Sequence, residues 1–278
     1  MQRERVADDV YVFTSEMYAQ VTAGAVVTPF GSILIDTLPF PEEAQDAKTF
    51  LENRLSAPVR FVILTHYHAD HTNGAYLFPN AVTVSHELCR SLLDTFGREG
   101  LADANARLPG MAEVEIGLPE LVFNQGELTV RLGDYSARLV HSPGHSPDSV
   151  LVEIPEVNIL FAGDTLMPIP TIFDGDFEQM IESLSKIPDF GAHNVIQGHG
   201  EVVLKGEIGR IVESDKEYLR TIQSRVSELV DSGAGMEALV DIDIESCGKS
   251  RIPLNGLVTD LHMANLHYVY QEKIGARR

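Results

Sequence analysis

The sequence predicts an α/β fold, and three observations carry that prediction. Short runs rich in Val, Ile and Leu are bounded by Gly, Pro, Asn or Asp, as strands are. Segments whose apolar residues recur at helical spacing alternate with those runs. The order of strands and helices also reads as two similar halves, with no repeat visible at the level of residues.

The N-terminal elements are strands at Val10–Thr14, Gln20–Thr28 and Ser32–Asp36, with Pro29-Phe30-Gly31 turning between the last two. A helix follows: Pro41 suits a first turn, and Ala44, Ala47, Phe50, Leu51 and Leu55 keep helical spacing behind it. Val59–Leu64 is almost wholly apolar, the pattern of a strand covered on both faces. A strand at Ala81–Ser85 and a helix at His86–Phe96 come next, and residues 97–118 read as loop with room for a helix. The β pattern resumes at Leu121–Phe123, Glu127–Leu132, Ala137–His141, Ser149–Ile154 and Asn158–Ala162. A Pro-rich loop, a helix near Phe177–Ile187 and a strand at Asn194–Gln197 complete the second half. The remainder, Gly206 to Gln271, is largely helical: Ile208, Ile211, Val212, Leu219, Ile222, Val226 and Leu229 share a stripe on one helix, and another runs from about Leu254 to Tyr270. These helices are suited to capping a site or to forming a homodimer surface.

A chain of 278 residues with 44% hydrophobic and 22% charged residues can bury a large core, and one domain with additions is expected. Basic residues number 21 and acidic ones 41, so the net charge is 21 − 41 = −20 with histidines neutral. That field repels polyphosphate backbones, no Lys/Arg-rich run offsets it, and small-molecule substrates are expected in place of nucleic acid. Cys89 and Cys247 are too few and too isolated for a disulfide framework or a cysteine zinc site, and they read as buried thiols. No apolar leader and no run of about 18 apolar residues is seen, so no membrane association and a cytoplasmic location are expected.

The chemistry concentrates in T-H-Y-H-A-D-H-T-N-G, residues 65–74, which holds His66, His68, Asp70 and His71 in a chain with ten histidines. The stretch leaves the C-terminal end of a buried strand, where a loop delivers ligands without distorting the sheet. Four candidate ligands in one loop exceed the needs of a single tetrahedral cation with an open position, so two adjacent metals become plausible. Three further residues lie just past predicted strands beside glycine or proline: His145 in H-S-P-G-H-S-P, Asp164 in F-A-G-D-T and His199 in Q-G-H-G. His141 ends a strand and is the weaker rival to His145. His86, His193, His262 and His267 lack any motif and read as packing or surface residues.

These motifs, in this order, resemble the metallo-β-lactamase-fold hydrolase superfamily over roughly Val10 to Gly200. Its H-x-H-x-D-H signature stands here as residues 66–71, its later single ligands match His145, Asp164 and His199, and its supporting aspartate matches Asp36 in I-L-I-D-T. The resemblance implies a four-layer αββα sandwich, with residues 1–205 as the catalytic domain and 206–278 as a helical extension packed on it. It implies one site of His66, His68 and His145, a second of Asp70, His71 and His199, and Asp164 bridging them. The ligand set resembles the glyoxalase II, lactonase and tRNase Z side of the family, and G-D-T-L-M with G-H-G is similar to a branch that includes SoxH-like and quinoprotein-relay hydrolases.

The implied cofactor is a pair of divalent ions, Zn²⁺ first, with Fe or Mn as alternatives. Two such ions about 3.5–4 Å apart generate a hydroxide nucleophile at neutral pH, so a small ester, thioester or lactone is the expected substrate. Asp70 is assigned the catalytic role of orienting that nucleophile and carrying a proton. Tyr67, Met167, Phe173, Ile169 and Tyr18 are candidates to line the substrate pocket, and core packing explains each of them equally well. Asp174 and Asp176 read equally well as an exposed turn. The rival readings are a mononuclear iron oxygenase resembling persulfide dioxygenases, a β-lactamase, a tRNase Z-type nuclease, which the charge disfavours, and a scaffold that has lost activity.

Overall fold

The computed structural model describes residues 1–107, 111–172 and 174–275. The first seven strands are β1 Gln2–Ala7, β2 Val10–Thr14, β3 Thr22–Thr28, β4 Gly31–Ile35, β5 Val59–Ile63, β6 Val82–His86 and β7 Leu121–Phe123. They form one sheet in chain order, antiparallel from β1 to β4 and parallel from β4 to β7. A second sheet has the order β13-β12-β11-β10-β9-β8, from β8 Glu127–Leu132, β9 Tyr135–His141, β10 Val150–Ile154, β11 Ile159–Gly163, β12 Asn194–Gln197 and β13 Val203–Leu204. Only β11 and β12 run parallel in it.

Side-chain alternation along these strands divides the core into three slabs. Ile33, Ile35 and Ile63 of the first sheet meet Val150, Val152, Ile159 and Phe161 of the second in the slab between the sheets. Their neighbours Leu34, Val62 and Leu64 point outward, onto Ala47 of α1 (Pro41–Thr49), Leu51 of the turn behind it and Cys89 of α3 (Glu87–Leu92). Leu151, Leu160 and Val195 point outward from the second sheet. They pack against Met180 and Leu184 of α5 (Phe177–Lys186), Leu219 and Ile222 of α6 (Lys205–Asp231), and Leu266 of α7 (Val258–Gly275). Strands covered on both faces need no polar alternation, which accounts for their continuous apolar runs. Helix, sheet, sheet and helix form a four-layer αββα sandwich with a C-terminal helical region. The two sheets approach closely at Gly24, where an added Cβ would stand 2.0 Å from the Phe161 ring.

The structure adds elements to the sequence reading, the short strand β13 among them. β1 is a strand although Arg3, Glu4 and Arg5 are charged and exposed, because an edge strand with charged side chains is shielded from pairing with another chain. Residues 97–118, read as loop with room for a helix, contain α4 (Arg98–Arg107), which buries no side chain and so carries no apolar stripe to detect. The short helix α2 (Ala69–Thr72) begins inside the H-x-H-x-D-H motif. The described residues contain no helix long and apolar enough to cross a membrane.

Six chain segments that build the site emerge at one edge of the sandwich. β2, β4, β5, β9, β11 and β12 all point their C-terminal ends there, as the pairing directions require. Main-chain bonds stitch the sheets together at that edge: Val150 N–H donates to Thr65 O at 2.8 Å, and Thr22 N–H to Gly198 O at 2.8 Å.

Away from that edge, Asp215 of α6 is fully buried, with Lys249 on one carboxylate oxygen and no hydrogen-bond partner on the other. Burial pushes its carboxyl up to about 6, against the opposing pull of Lys249. The folded chain therefore holds a proton that the unfolded chain has lost, and this residue's contribution to stability falls as pH rises from about 4 through 6. A rise of that size from the ordinary carboxylate value is worth roughly 3 kcal/mol. Asp215→Asn should gain on the unaltered protein, in urea unfolding, by up to that amount between about pH 4 and pH 7. A stability difference that is flat with pH would contradict the buried, proton-holding carboxyl.

Candidate metal centre

His66 and His68 leave β5 in an extended turn, and α2 then brings Asp70 and His71 back over the sheet edge. His145 lies in the turn between β9 and β10, Asp164 directly follows β11, and His199 follows β12. The structure brings all seven together in two groups whose ligand atoms lie within 4.8 Å of one another: His66, His68, His145 and Asp164, then Asp70, His71 and His199. His66, His71, His145, Asp164 and His199 are buried, whereas the His68 and Asp70 side chains keep 21% and 22% exposure and so form the accessible lip.

The tautomers follow from the outer nitrogens. Thr65 Oγ1 donates to Asp36 Oδ2 at 2.7 Å, so it accepts from His66 Nδ1–H at 3.0 Å. Asp36 Oδ2 also takes His71 Nδ1–H at 3.0 Å. His145 Nδ1 is 2.8 Å from Thr171 Oγ1 and 3.2 Å from Thr171 O, and His199 Nδ1–H donates to Ala19 O at 2.9 Å. Each of these imidazoles therefore turns an Nε2 lone pair inward. His68 is reversed, with Nδ1 inward, 3.1 Å from His66 Nε2 and 2.9 Å from His145 Nε2, while its Nε2 meets Asp174 Oδ2 at 2.9 Å.

Lone pairs facing one another at these distances repel unless something positive lies between them. Atoms bound to one tetrahedral zinc-type cation at 2.0–2.1 Å stand roughly 3.3 Å apart, close to the spacing seen here. Asp164 adds two acceptor oxygens. Oδ1 is 3.2 Å from His71 Nε2, and Oδ2 is 3.3 Å from His199 Nε2, 3.5 Å from His145 Nε2 and 3.9 Å from His66 Nε2. Asp164 Oδ1 and His71 Nε2 are both buried and neither makes a well-formed hydrogen bond. Asp70 Oδ2 stands 3.5 Å from His199 Nε2 and 3.8 Å from His71 Nε2. The donor set therefore fits divalent cations, and Asp164 reaches both groups.

Without such charge the cluster draws protons. Burial lowers His66 well below the ordinary imidazole value and takes His145 down to about 4. Burial also opposes charge on His71 and His199, but Asp164 and Asp70 overcome it and raise both. Asp164, despite its burial, is held well below the usual carboxylate range by His199, His71 and His145. Gly198 is required beside it, since a Cβ there would stand 1.8 Å from Asp164 Oδ1.

Of the pocket candidates, Tyr67 donates to Asp174, Met167 and Ile169 are buried in the core below Thr171, and Tyr18 is 45% exposed at the lip. Phe173 lies outside the described residues. His141 faces away, donating to or accepting from nothing in the cluster; its Nε2 pairs with Pro147 O at 2.8 Å and its ring stacks on His86. Asp176 caps α5, accepting from Gln179 N–H at 2.8 Å. The sequence reading missed Thr65, Ala19, Thr171 and the pairing of Asp174 with His68. Only Asp174, an acid shortly after a proposed ligand, left a trace in the sequence.

Residues 19–203 match the family model described as Metallo-beta-lactamase superfamily, and the chain belongs to that superfamily. Among curated relatives, it is 32% identical to the Beta-lactamase-like protein 2 homolog of Drosophila melanogaster over 56% of this chain and 49% of that one. It is 27% identical to a Hydroxyacylglutathione hydrolase of Cereibacter sphaeroides over 57% and 55% of the two chains. The chain thus spans about half the length of these relatives. A stereoselective inverting sec-alkylsulfatase from Pseudomonas sp. shares the fold, with a TM-score of 0.76 at 15% identity over 98% of this chain and 50% of that one.

Asp36→Asn tests the support beneath the centre. The amide places an NH₂ where Thr65 and His71 both need an acceptor, and loss of such outer partners typically costs 10–100-fold in metal affinity. Competition against a chromogenic chelator should show a loss of that size, and unchanged affinity would contradict the role given to Asp36.

Proposed function

We propose that the protein is a hydrolase that uses two divalent cations to cleave a small ester, thioester or lactone. The observation that carries this reading is the position of Asp164, whose two oxygens face His71 on one side and His145 and His199 on the other. His66, His68 and His145 would hold one ion, Asp70, His71 and His199 the other, and Asp164 would join them. Imidazole and carboxylate donors suit zinc, with iron or manganese accommodated by the same set. Bound there, such ions supply Lewis acidity toward a carbonyl and bring the pKa of water near neutrality.

The chain's own residues supply the rest. Asp70, partly open to solvent, is placed to accept a proton and pass it to a leaving group. Burial and the nearby Asp70 and Asp164 raise the Tyr18 phenol, which keeps its proton and serves as a donor at the lip. A cavity of about 690 Å³ beside Gly200, the residue after His199, is lined in part by Gln20, Ile211 and Leu254 and by none of the seven residues; it would take a distal substituent of a substrate rather than the reacting carbonyl. Residues 1–205 would thus house the chemistry and 206–278 shape the approach to it. The relative named Hydroxyacylglutathione hydrolase supports a thioester among the substrates to test. The net charge of −20 speaks against polynucleotide substrates.

Protein purified without chelator, with its metals quantified, should cleave at least one member of a panel of chromogenic esters, thioesters, lactones and a cephalosporin. Chelation should abolish that turnover and zinc restore it. Asp164→Ala should lose metal and turnover together, by more than about 100-fold, since outer partners alone account for 10–100-fold. Full metal content with no acyl cleavage would contradict the proposal, as would a single iron with oxygen uptake on a persulfide.

A further inference from the structure

The outer nitrogens of the seven-residue cluster are held from two different parts of the chain. His71 is held directly by Asp36, His66 through Thr65 and Asp36, and His199 by Ala19 O, all from loops at the ends of strands. His145 and His68 are held by Thr171 and Asp174, from the stretch between β11 and α5. Near Thr171 and Asp174 that stretch contains no strand or helix among the described residues; a turn bond from Gly175 N–H to Ile172 O at 3.0 Å and one from Asp176 N–H to Gly144 O at 2.9 Å hold its far end, and neither reaches Thr171.

Helix α7 does. Asn265, 0% exposed, donates its amide to Pro170 O at 2.8 Å and accepts Ile172 N–H at 3.1 Å, clasping the peptide groups on both sides of Thr171. One turn further on, Tyr268 OH donates to Gly175 O at 3.0 Å, just past Asp174. Asn265 is itself oriented by a closed chain of bonds. Its amide also donates to Tyr218 OH of α6 at 3.2 Å, Tyr218 donates to His262 Nδ1 at 2.9 Å, and His262 Nε2–H donates to Ile242 O at 2.8 Å. Every donor in that chain has an acceptor, so the amide cannot flip without leaving buried groups unpaired.

We propose that Asn265 is a positioning residue for the metal centre: by clasping Pro170 and Ile172 it holds Thr171 and Asp174 against His145 and His68, so that the C-terminal helices set cation affinity at one site. That site is the group of His66, His68 and His145; the group of Asp70, His71 and His199 has no such dependence. The inference rests on the two-cation reading above. Its consequence is an asymmetric centre, in which damage to the C-terminal helices removes one ion and spares the other.

Zinc titration of the chelator-stripped full chain, followed by calorimetry, tests this without reference to turnover. The unaltered protein should show two binding steps. Asn265→Leu should weaken one of them by about 10–100-fold and leave the other unchanged. The site is identified in paired variants: added to His199→Ala, Asn265→Leu should weaken the remaining step, and added to His145→Ala it should not. Tyr268→Phe and Asp174→Asn, which disturb the interior less, should weaken the same step, and they decide the matter if Asn265→Leu fails to fold by circular dichroism. Equal weakening of both steps, or none in any variant, would overturn the inference while leaving the two-cation reading intact. Absence of zinc binding by the unaltered protein would overturn both.

Discussion

Asp164 places a carboxylate in the interior, 5% exposed, among the Nε2 atoms of His66, His71, His145 and His199. An ionised carboxylate so far from water is costly unless positive charge meets it. The surrounding imidazoles are oriented to offer lone pairs, because Thr65, Asp36, Thr171 and Ala19 occupy their outer nitrogens. Protons on His71 and His199 answer the charge in part, and divalent cations bound there would answer it more completely while also satisfying the inward lone pairs. The rest of the molecule is organised around keeping this unfavourable set of groups in place.

The sandwich does so by geometry. Parallel pairing of β4 with β5 and of β11 with β12 sends successive strand ends to one edge, where short loops carry Asp36, the H-x-H-x-D-H turn, Asp164 and His199. The cross-sheet bonds from Val150 to Thr65 and from Thr22 to Gly198 fix the two ligand-bearing edges against each other. Helices α6 and α7 pack on the outer face of the second sheet, and through Asn265 and Tyr268 α7 also braces the stretch around Thr171 and Asp174 that supports His145 and His68. Stability and site geometry therefore share the same contacts on that side of the molecule.

Much of this was legible in the sequence because the physics is local. Runs such as Val59–Leu64 announce strands buried on both faces, and His66, His68, Asp70 and His71 fall within one short loop. His145, Asp164 and His199 were legible because each follows an apolar run and sits beside Gly or Pro. The charged edge strand β1 was not, since its side chains face solvent and show no apolar alternation. Nor was the partner of His68: Asp174 lies 106 positions away, and an acid in a turn looks the same whether it faces water or an imidazole. Asn265 was hidden for a related reason, because an amide on a buried helix face gives no sign of which backbone it will clasp.

The most direct measurement is the anomalous scattering of zinc in crystals of the metal-loaded protein. Two peaks about 3.5–4 Å apart are expected, one among His66, His68 and His145 and the other among Asp70, His71 and His199, with Asp164 touching both. A single peak, or peaks away from Asp164, would contradict the two-cation reading.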